Sequence, residues 1–132
     1  MMSTIAAPEF AMYHDEWHLS PILDTGEFVF FSGQTDTRPD GTVSADPETQ
    51  FRDAFTSLGK NLAAAGLGFS DIVEMTTYHV ELRRHLPAFM KVKDEHIRPP
   101  YPAWTAIGVV ELITPGTIIE IRIIARRSKP GA

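Results

Sequence analysis

The stretch TIIEIRIIA, residues 117–125, is the most informative part of the sequence about the fold, because it alternates two kinds of side chain. Successive side chains of a β-strand point to opposite faces, so this strand has one apolar and one mixed face. The apolar face carries Ile119, Ile121, Ile123 and Ala125. The mixed face carries Ile118, Glu120, Arg122 and Ile124. We expect the apolar face to pack against helices and the mixed face to meet another subunit, with the charged pair at the edge of that contact.

Two helical patterns upstream supply the layer that the apolar face requires. The first helix should follow the N-cap residue Asp46, with Pro47 at its first position and Gly66 after its end. Its apolar stripe consists of Phe51, Phe55, Leu58, Leu62 and Ala65. The second helix should span residues 85–97, with Pro87 in its first turn. Its apolar side consists of Leu86, Phe89, Val92 and His96.

Four other stretches have the composition of β-strands: 17–23, 27–32, 72–80 and 103–111. The stretch 27–32 contains an apolar run that is long enough to be buried on both faces. The element order is therefore β-β-α-β-α-β-β, and two helices can cover only one face of the sheet. The sequence predicts one α+β domain over residues 1–132, with both helices on one face of a mixed sheet and residues 1–16 as a loosely held arm.

Composition limits the classes of function. The chain has 132 residues and no cysteine, which excludes disulfides, thiolate nucleophiles and cysteine-ligated metal sites. The net charge of −5 argues against a nucleic-acid partner, because phosphate binding needs a clustered positive surface, and the only dense basic cluster is Arg126, Arg127 and Lys129. No apolar run is long enough for a membrane span or a signal sequence, so we expect a cytoplasmic protein.

Glu120 is the first candidate for chemistry. It lies in the middle of a strand rich in isoleucine, where an ionised carboxylate must be paired or must take up a proton. Burial would raise its pKa towards the range that suits a general acid or base. The alternative is a structural ion pair with Arg122, its neighbour on the same face of the strand.

Three other positions are candidates for ligand contact. In Ser32-Gly33-Gln34, a glycine at the end of a strand would let a small ligand approach the backbone, although the same residues also suit a plain turn. Trp104 could form the wall of a pocket or cover the core. His18 could reach a cleft. The histidines show no metal-site spacing and no phosphate-binding glycine motif is present, so neither a metal nor a cofactor is predicted.

Several motifs, taken in order, resemble the Rid/YjgF family, the reactive-intermediate deaminases. They are FVFFSGQ at 28–34, QFRDAF at 50–55, DIVEMTTYHV at 71–80, YPAWT at 101–105 and PGTIIEI at 115–121. The resemblance covers roughly residues 17–127. It implies a chorismate-mutase-like α+β fold and a homotrimer whose sheets form a central barrel, with ligand clefts between neighbouring subunits.

The resemblance also implies roles for individual residues. Glu120 matches the glutamate that positions the hydrolytic water for an imine, and Ser32 matches the serine of the family's Ser-Gly-Gln motif. The family's substrate-clamping arginine is replaced by Trp104, which has one N–H donor and no charge. Met90 and Leu19 stand where the well-known deaminases have an asparagine and a tyrosine. The predicted pocket is therefore more apolar than theirs.

Two hypotheses of function follow. The first is a homotrimer that hydrolyses a small imine, enamine or related C–N compound in an inter-subunit cleft. Ordinary 2-imino acids are not expected as substrates, because their carboxylate would find no cation beside Trp104 unless Arg122 or another cation replaces the clamp. The second is a trimer that binds a small molecule without catalysis. RNA cleavage, a role attached to some relatives, is disfavoured by the acidic charge.

Overall fold

The computed structural model describes residues 2–127, so Lys129 of the basic cluster lies outside the described residues. Within these residues, six strands and three α-helices follow one another. They are β1 Ser3–Ile5, α1 Ala11–Asp15, β2 Ile22–Asp24, β3 Phe28–Gln34, α2 Pro47–Ala64, β4 Ile72–Val80, α3 Leu82–His96, β5 Ala103–Val109 and β6 Ile119–Arg126. Single 3-10 turns precede α1 and β4, at Pro8–Phe10 and Phe69–Asp71.

The strands form one mixed sheet in the order β1-β2-β3-β6-β4-β5. The β4–β5 pair is parallel and the other pairs are antiparallel. The predicted α+β architecture is confirmed, and β6, the strand whose alternation predicted it, lies between β3 and β4. Glu120 on β6 is paired in register with Tyr78 on β4.

The helix layer packs on the apolar face of β6, as the alternation predicts. Ile119, Ile121 and Ala125 are fully buried and belong to the same core cluster as the apolar stripe of α2. The start of α2 is confirmed in detail, because the Asp46 carboxylate accepts a hydrogen bond from the Thr49 N–H at 3.0 Å. These contacts leave the opposite face of β6 free of the two long helices.

The N-terminal segment differs from the expected loosely held arm. Its first strand, Ser3–Ile5, pairs with β2, and a 3-10 turn and α1 follow it. Its strand consists of three residues and lies at the edge of the sheet, which is too short a stretch to produce a clear alternating pattern. The strand predicted at 17–23 is displaced as well, because β2 covers only Ile22–Asp24.

Two other expectations need correction. The second long helix begins at Leu82 instead of 85, directly after β4, so Pro87 lies inside the helix and not in its first turn. No side chain caps this helix, which is why its start left no signal in the sequence. The apolar run of β3 is not buried on both faces. Val29 and Phe31 are in the core, whereas Phe28 and Phe30 are 39% and 37% exposed on the face that the long helices leave free.

None of the helices within residues 2–127 combines the length and the apolar character that a membrane span requires.

Candidate functional site

A cavity of about 270 Å³ opens on the mixed face of β6. Its floor comes from β3 and β6, one wall comes from α1 and the residues around it, and the rim comes from the loop after β3. Its lining includes four of the predicted site residues, namely Leu19, Ser32, Gly33 and Glu120. Ligand pockets usually concentrate a few polar groups in apolar surroundings, and this cavity places Ser32 and Glu120 among apolar side chains.

Glu120 and Gly33 fit each other closely. A Cβ atom built on Gly33 would lie 2.5 Å from Cδ and 2.8 Å from Oε2 of Glu120, so any side chain at position 33 would displace the carboxyl group. The pairing of β3 with β6 shifts its register between Phe31 and Gln34, which places Gly33 in a β-bulge. The sequence suggested that this glycine admits a ligand to the backbone. In the structure it admits the carboxyl group of Glu120.

The carboxylate of Glu120 is half-buried and has no cation beside it. Within residues 2–127 it forms no salt bridge, and the structural ion pair with Arg122 that the sequence left open is not present. Burial raises the pKa of Glu120 above its ordinary value, since desolvation penalises the charged form and no neighbouring charge offsets it. The group is therefore available to a ligand or a water molecule.

Ser32 is committed to the backbone of the preceding segment. Its hydroxyl donates to the Ser20 carbonyl at 2.7 Å, and its N–H donates to the Pro21 carbonyl at 3.0 Å. Leu19 lines the cavity, whereas its neighbour His18 does not. The backbone of His18 adopts a left-handed conformation, with φ 56°. Ser32 thus fixes the segment that carries Leu19, and its proton is not free for a substrate.

Trp104 and Met90 lie away from this cavity. Trp104 is on β5 in register with Met75, and its indole N–H donates to the Thr77 hydroxyl at 2.9 Å on the helix-covered side of the sheet. The Lys93 ammonium lies 4.5 Å from the centroid of its ring. Met90 is 42% exposed on α3. Within one chain, Trp104 packs against the core, and neither residue meets Glu120.

Gln50 anchors the loops that border the cavity. Its amide group donates to the Ser44 and Gly116 carbonyls at 2.7 and 2.8 Å, and its oxygen accepts from the Ile118 N–H at 3.0 Å. A further hydrogen bond joins the two loops directly, between the Thr37 and Thr114 hydroxyl groups, whose oxygens lie 3.2 Å apart. These bonds fix the loops relative to the strand that carries Glu120.

Sequence reasoning missed most of the other lining residues. Those with large or charged side chains include Phe10, Tyr13, Trp17, Arg38 and Ile113. The three aromatic residues had a signal, since spacings of three and four place side chains on one side of a helical segment. Arg38 and Ile113 lie in loops, where no periodic pattern of side chains indicates them. No group of three or more His, Asp or Glu residues in the range 2–127 is arranged to hold a metal ion.

Comparisons with known proteins agree with this architecture. The family model described as Endoribonuclease L-PSP matches residues 13–127. The RutC family protein YjgH of Escherichia coli K12 is 42% identical over 112 residues, which is 84% of this chain and 84% of that protein. TdcF of the same organism, named provisionally as a reactive intermediate deaminase, is 32% identical over 111 residues, covering 80% of this chain and 84% of TdcF.

A solved structure of YjgH superimposes with a TM-score of 0.86 at 38% identity, covering 96% of this chain and 97% of that one. The fold and the sequence therefore lead to the same group of proteins, and the motifs that carried the resemblance lie within the matched residues. The chain belongs to the Rid/YjgF family.

Proposed function

We propose that this protein hydrolyses a small imine, enamine or related C–N compound, with Glu120 as the group that handles the water. The observation that carries the proposal is the placement of the Glu120 carboxyl group against Gly33 in the cavity, half-buried and without a cation partner. A carboxylate whose pKa is raised by burial is a better base near neutral pH than an ordinary glutamate.

The reaction needs only a water molecule and one proton carrier. Glu120 accepts a proton from the water while the water oxygen bonds to the carbon of the C=N group. Glu120 then gives this proton to the nitrogen, which completes a carbinolamine. Glu120 next takes the hydroxyl proton of the carbinolamine and delivers it to the nitrogen as the C–N bond breaks and the C=O bond forms, so a carbonyl compound and an amine or ammonia are released. An enamine enters the same sequence after it tautomerises to the imine. Gly33 leaves room for Glu120 beside the substrate. Leu19 and the aromatic wall formed by Phe10, Tyr13 and Trp17 limit the access of bulk water.

A non-catalytic binding protein is the second candidate. Two observations favour it: the Ser32 hydroxyl is committed to Ser20, and the position of the family's clamp holds Trp104, which packs against the core. A passive pocket would nevertheless gain nothing from a half-buried, unpaired carboxylate, since burying such a group costs free energy. We therefore place hydrolysis first.

A substrate screen tests the proposal. Imines generated in situ from ordinary amino acids by an oxidase should be poor substrates in a competition assay with semicarbazide, because no cation next to Glu120 receives their carboxylate. Imines and enamines without an α-carboxylate should be turned over, and the turnover should disappear in Glu120→Gln. Hydrolysis of alanine- or leucine-derived imines at rates above the spontaneous reaction would contradict this substrate class. Binding without turnover of any C–N compound would favour the second candidate.

The assembly is the second part of the proposal. The free face of the sheet carries Phe28, Phe30 and Ile107, each partly exposed in one chain, and β5 lies at the edge of the sheet. A closed trimer would cover this apolar face and would let the Trp104 and Met90 of one subunit approach the Glu120 cavity of the next. This supports the shared cleft that the family resemblance implies.

We expect light scattering at micromolar concentration to give about 44 kDa, three times the chain mass of 14.7 kDa. Ile124→Glu should shift the mass towards that of the monomer, because it places a charge at the centre of the free face. Ala63→Glu, on the exposed side of α2, is the matched control and should stay trimeric. A wild-type monomer, or an Ile124→Glu trimer, would contradict the proposed interface.

A further inference from the structure

The cavity contains a second charged group, the guanidinium of Arg38, on the loop between β3 and α2. It is the only Lys or Arg side chain among the lining residues that the structure describes. The family's clamp is absent at Trp104, and Arg122 does not line the cavity. Among residues 2–127, Arg38 is therefore the cation available to an anionic ligand in the cavity that also contains Glu120.

The backbone of Arg38 is held by a tight turn. Its N–H donates to the Thr42 carbonyl at 2.9 Å, and its own carbonyl accepts from the Gly41 N–H at 2.8 Å. Asp40 reinforces the turn by accepting from the Thr42 N–H at 3.0 Å and from its hydroxyl at 2.6 Å. The loop thus presents the guanidinium from a fixed base, which reduces the ordering cost of binding an anion.

The guanidinium has no strong partner among the residues that the structure describes. Its one hydrogen bond is long, 3.4 Å to the Thr42 hydroxyl, and within residues 2–127 it forms no salt bridge. Burial raises the pKa of Asp36, and the hydrogen bonds from Thr42 lower the pKa of Asp40, so the charge of Arg38 dominates neither carboxyl group. Neither residue contacts Arg38 as an ion pair. By contrast, Arg52, Arg126 and Arg127 each hold a carboxylate within 3.1 Å. Arg38 keeps its donors available for a ligand.

The aromatic wall lies on the same cavity. The ring centroids of Phe10 and Tyr13 are 6.3 Å apart, and those of Tyr13 and Trp17 are 5.8 Å apart in an edge-to-face arrangement. Together they form a continuous apolar surface suited to a planar or apolar ligand body. The cavity therefore combines a cation, an apolar wall and a carboxylate.

Arg38 and Glu120 line the same cavity without pairing, since no salt bridge within residues 2–127 joins them. A ligand with an apolar body between its carboxylate and its reacting carbon can contact Arg38, the three aromatic residues and Glu120 at once. A 2-imino acid has its carboxylate directly on the reacting carbon, so it has no such body to place against the aromatic residues.

The geometry points to a substrate class: imines or enamines whose carboxylate binds Arg38 and is separated from the C–N carbon by a planar or apolar spacer lying on the Phe10–Tyr13–Trp17 wall. Arg38 is the specificity-determining residue in this assignment. Its planar fork matches a carboxylate through two parallel hydrogen bonds. The inference rests on the proposed function for its chemistry, but its binding test requires no turnover.

The test uses 4-acetylbenzoate, in which a ring separates a carbonyl group from a carboxylate, and two comparison probes. These are 4-acetylbenzamide, a neutral ligand of similar shape, and pyruvate, whose carboxylate adjoins its carbonyl. Calorimetry on the wild-type protein should show that 4-acetylbenzoate binds more tightly than either. Arg38→Gln should weaken its binding on the order of 10- to 100-fold and abolish the preference over the amide, as expected for loss of a charge-assisted pair.

A matched control completes the design. Arg83→Gln removes an exposed arginine of α3 that does not line the cavity, and it should bind 4-acetylbenzoate as the wild type does. If the wild-type protein binds 4-acetylbenzoate with this preference but hydrolyses no C–N compound, the result counts against the proposed function alone. Equal affinity of wild-type protein and Arg38→Gln for 4-acetylbenzoate would overturn the inference. So would pyruvate binding as tightly as 4-acetylbenzoate, or no preference of the wild type for the acid over the amide.

Discussion

Glu120→Gln should lower the rate of C–N hydrolysis on the order of 10²- to 10⁴-fold, the usual effect of removing a positioned general base. The amide keeps the shape of the carboxyl group and its place against Gly33, but it cannot accept the proton of the attacking water. The measurement is the single-turnover rate on the best substrate of the screen, made on protein whose trimer content and melting temperature are recorded for the same sample.

The stability of Glu120→Gln separates this role from a structural one. If Glu120 were half of a buried ion pair, removing its charge would cost about 3–5 kcal/mol. The structure shows no such pair within residues 2–127, so we expect the variant to melt at or slightly above the wild-type temperature at neutral pH. Arg122→Gln is the matched control, because it removes a charge from the same face of β6 at a residue that does not line the cavity. A Glu120→Gln protein that melts early but keeps its specific activity would refute the catalytic role.

The pH dependence follows from the same carboxyl group. Its folded-state pKa is raised by burial, so the protonated form is favoured in the native state. This contribution to stability is fully present below the ordinary glutamate pKa and is lost as the pH rises through the raised value. Activity should show the opposite trend, because only the ionised form acts as a base. The acidic limb of the rate profile should therefore lie at a higher pH than an ordinary glutamate would give, and Glu120→Gln should lack that limb.

The fold could be predicted because the strongest patterns in the sequence reflect which side chains are buried. The alternation in β6 and the stripe of α2 depend on contacts that every chain with this core must make, and both are found where they were expected. The start of α3 escaped prediction because its N-cap side chain makes no capping hydrogen bond. The N-terminal strand escaped prediction because only three residues pair at the sheet edge.

The candidate site could be predicted only in part. Leu19, Ser32, Gly33 and Glu120 lie on or beside regular strands, where neighbours follow from register, and the structure brings them together. Trp104 lies on the helix-covered side of the sheet within one chain. Arg38 is carried by a loop whose turn is set by local hydrogen bonds, and no periodicity connects such a loop to a strand residue more than eighty positions away.

Gly33→Ala should abolish most of the activity without changing a single chemical group of the site. The new Cβ would lie 2.5 Å from Cδ of Glu120, so the carboxyl group must move away from its position against residue 33. The displaced atoms are the far end of a flexible side chain, and the backbone of Gly33 is not left-handed, so the fold should tolerate the change. A misplaced base loses its proton-transfer geometry, and the rate should approach that of Glu120→Gln.

The double variant tests whether Gly33 acts through Glu120. If Gly33 acts through Glu120, combining Gly33→Ala with Glu120→Gln should cost little more than either change alone, because residues that act as a unit are strongly non-additive. Gly68→Ala is the matched control, since its Cβ would meet no atom within 4 Å and its backbone is extended. Any loss of stability in Gly33→Ala should be relieved by Glu120→Ala, which removes the clashing atoms. Full activity of Gly33→Ala, or losses that multiply in the double variant, would show that the close contact between Gly33 and Glu120 plays no part in the reaction.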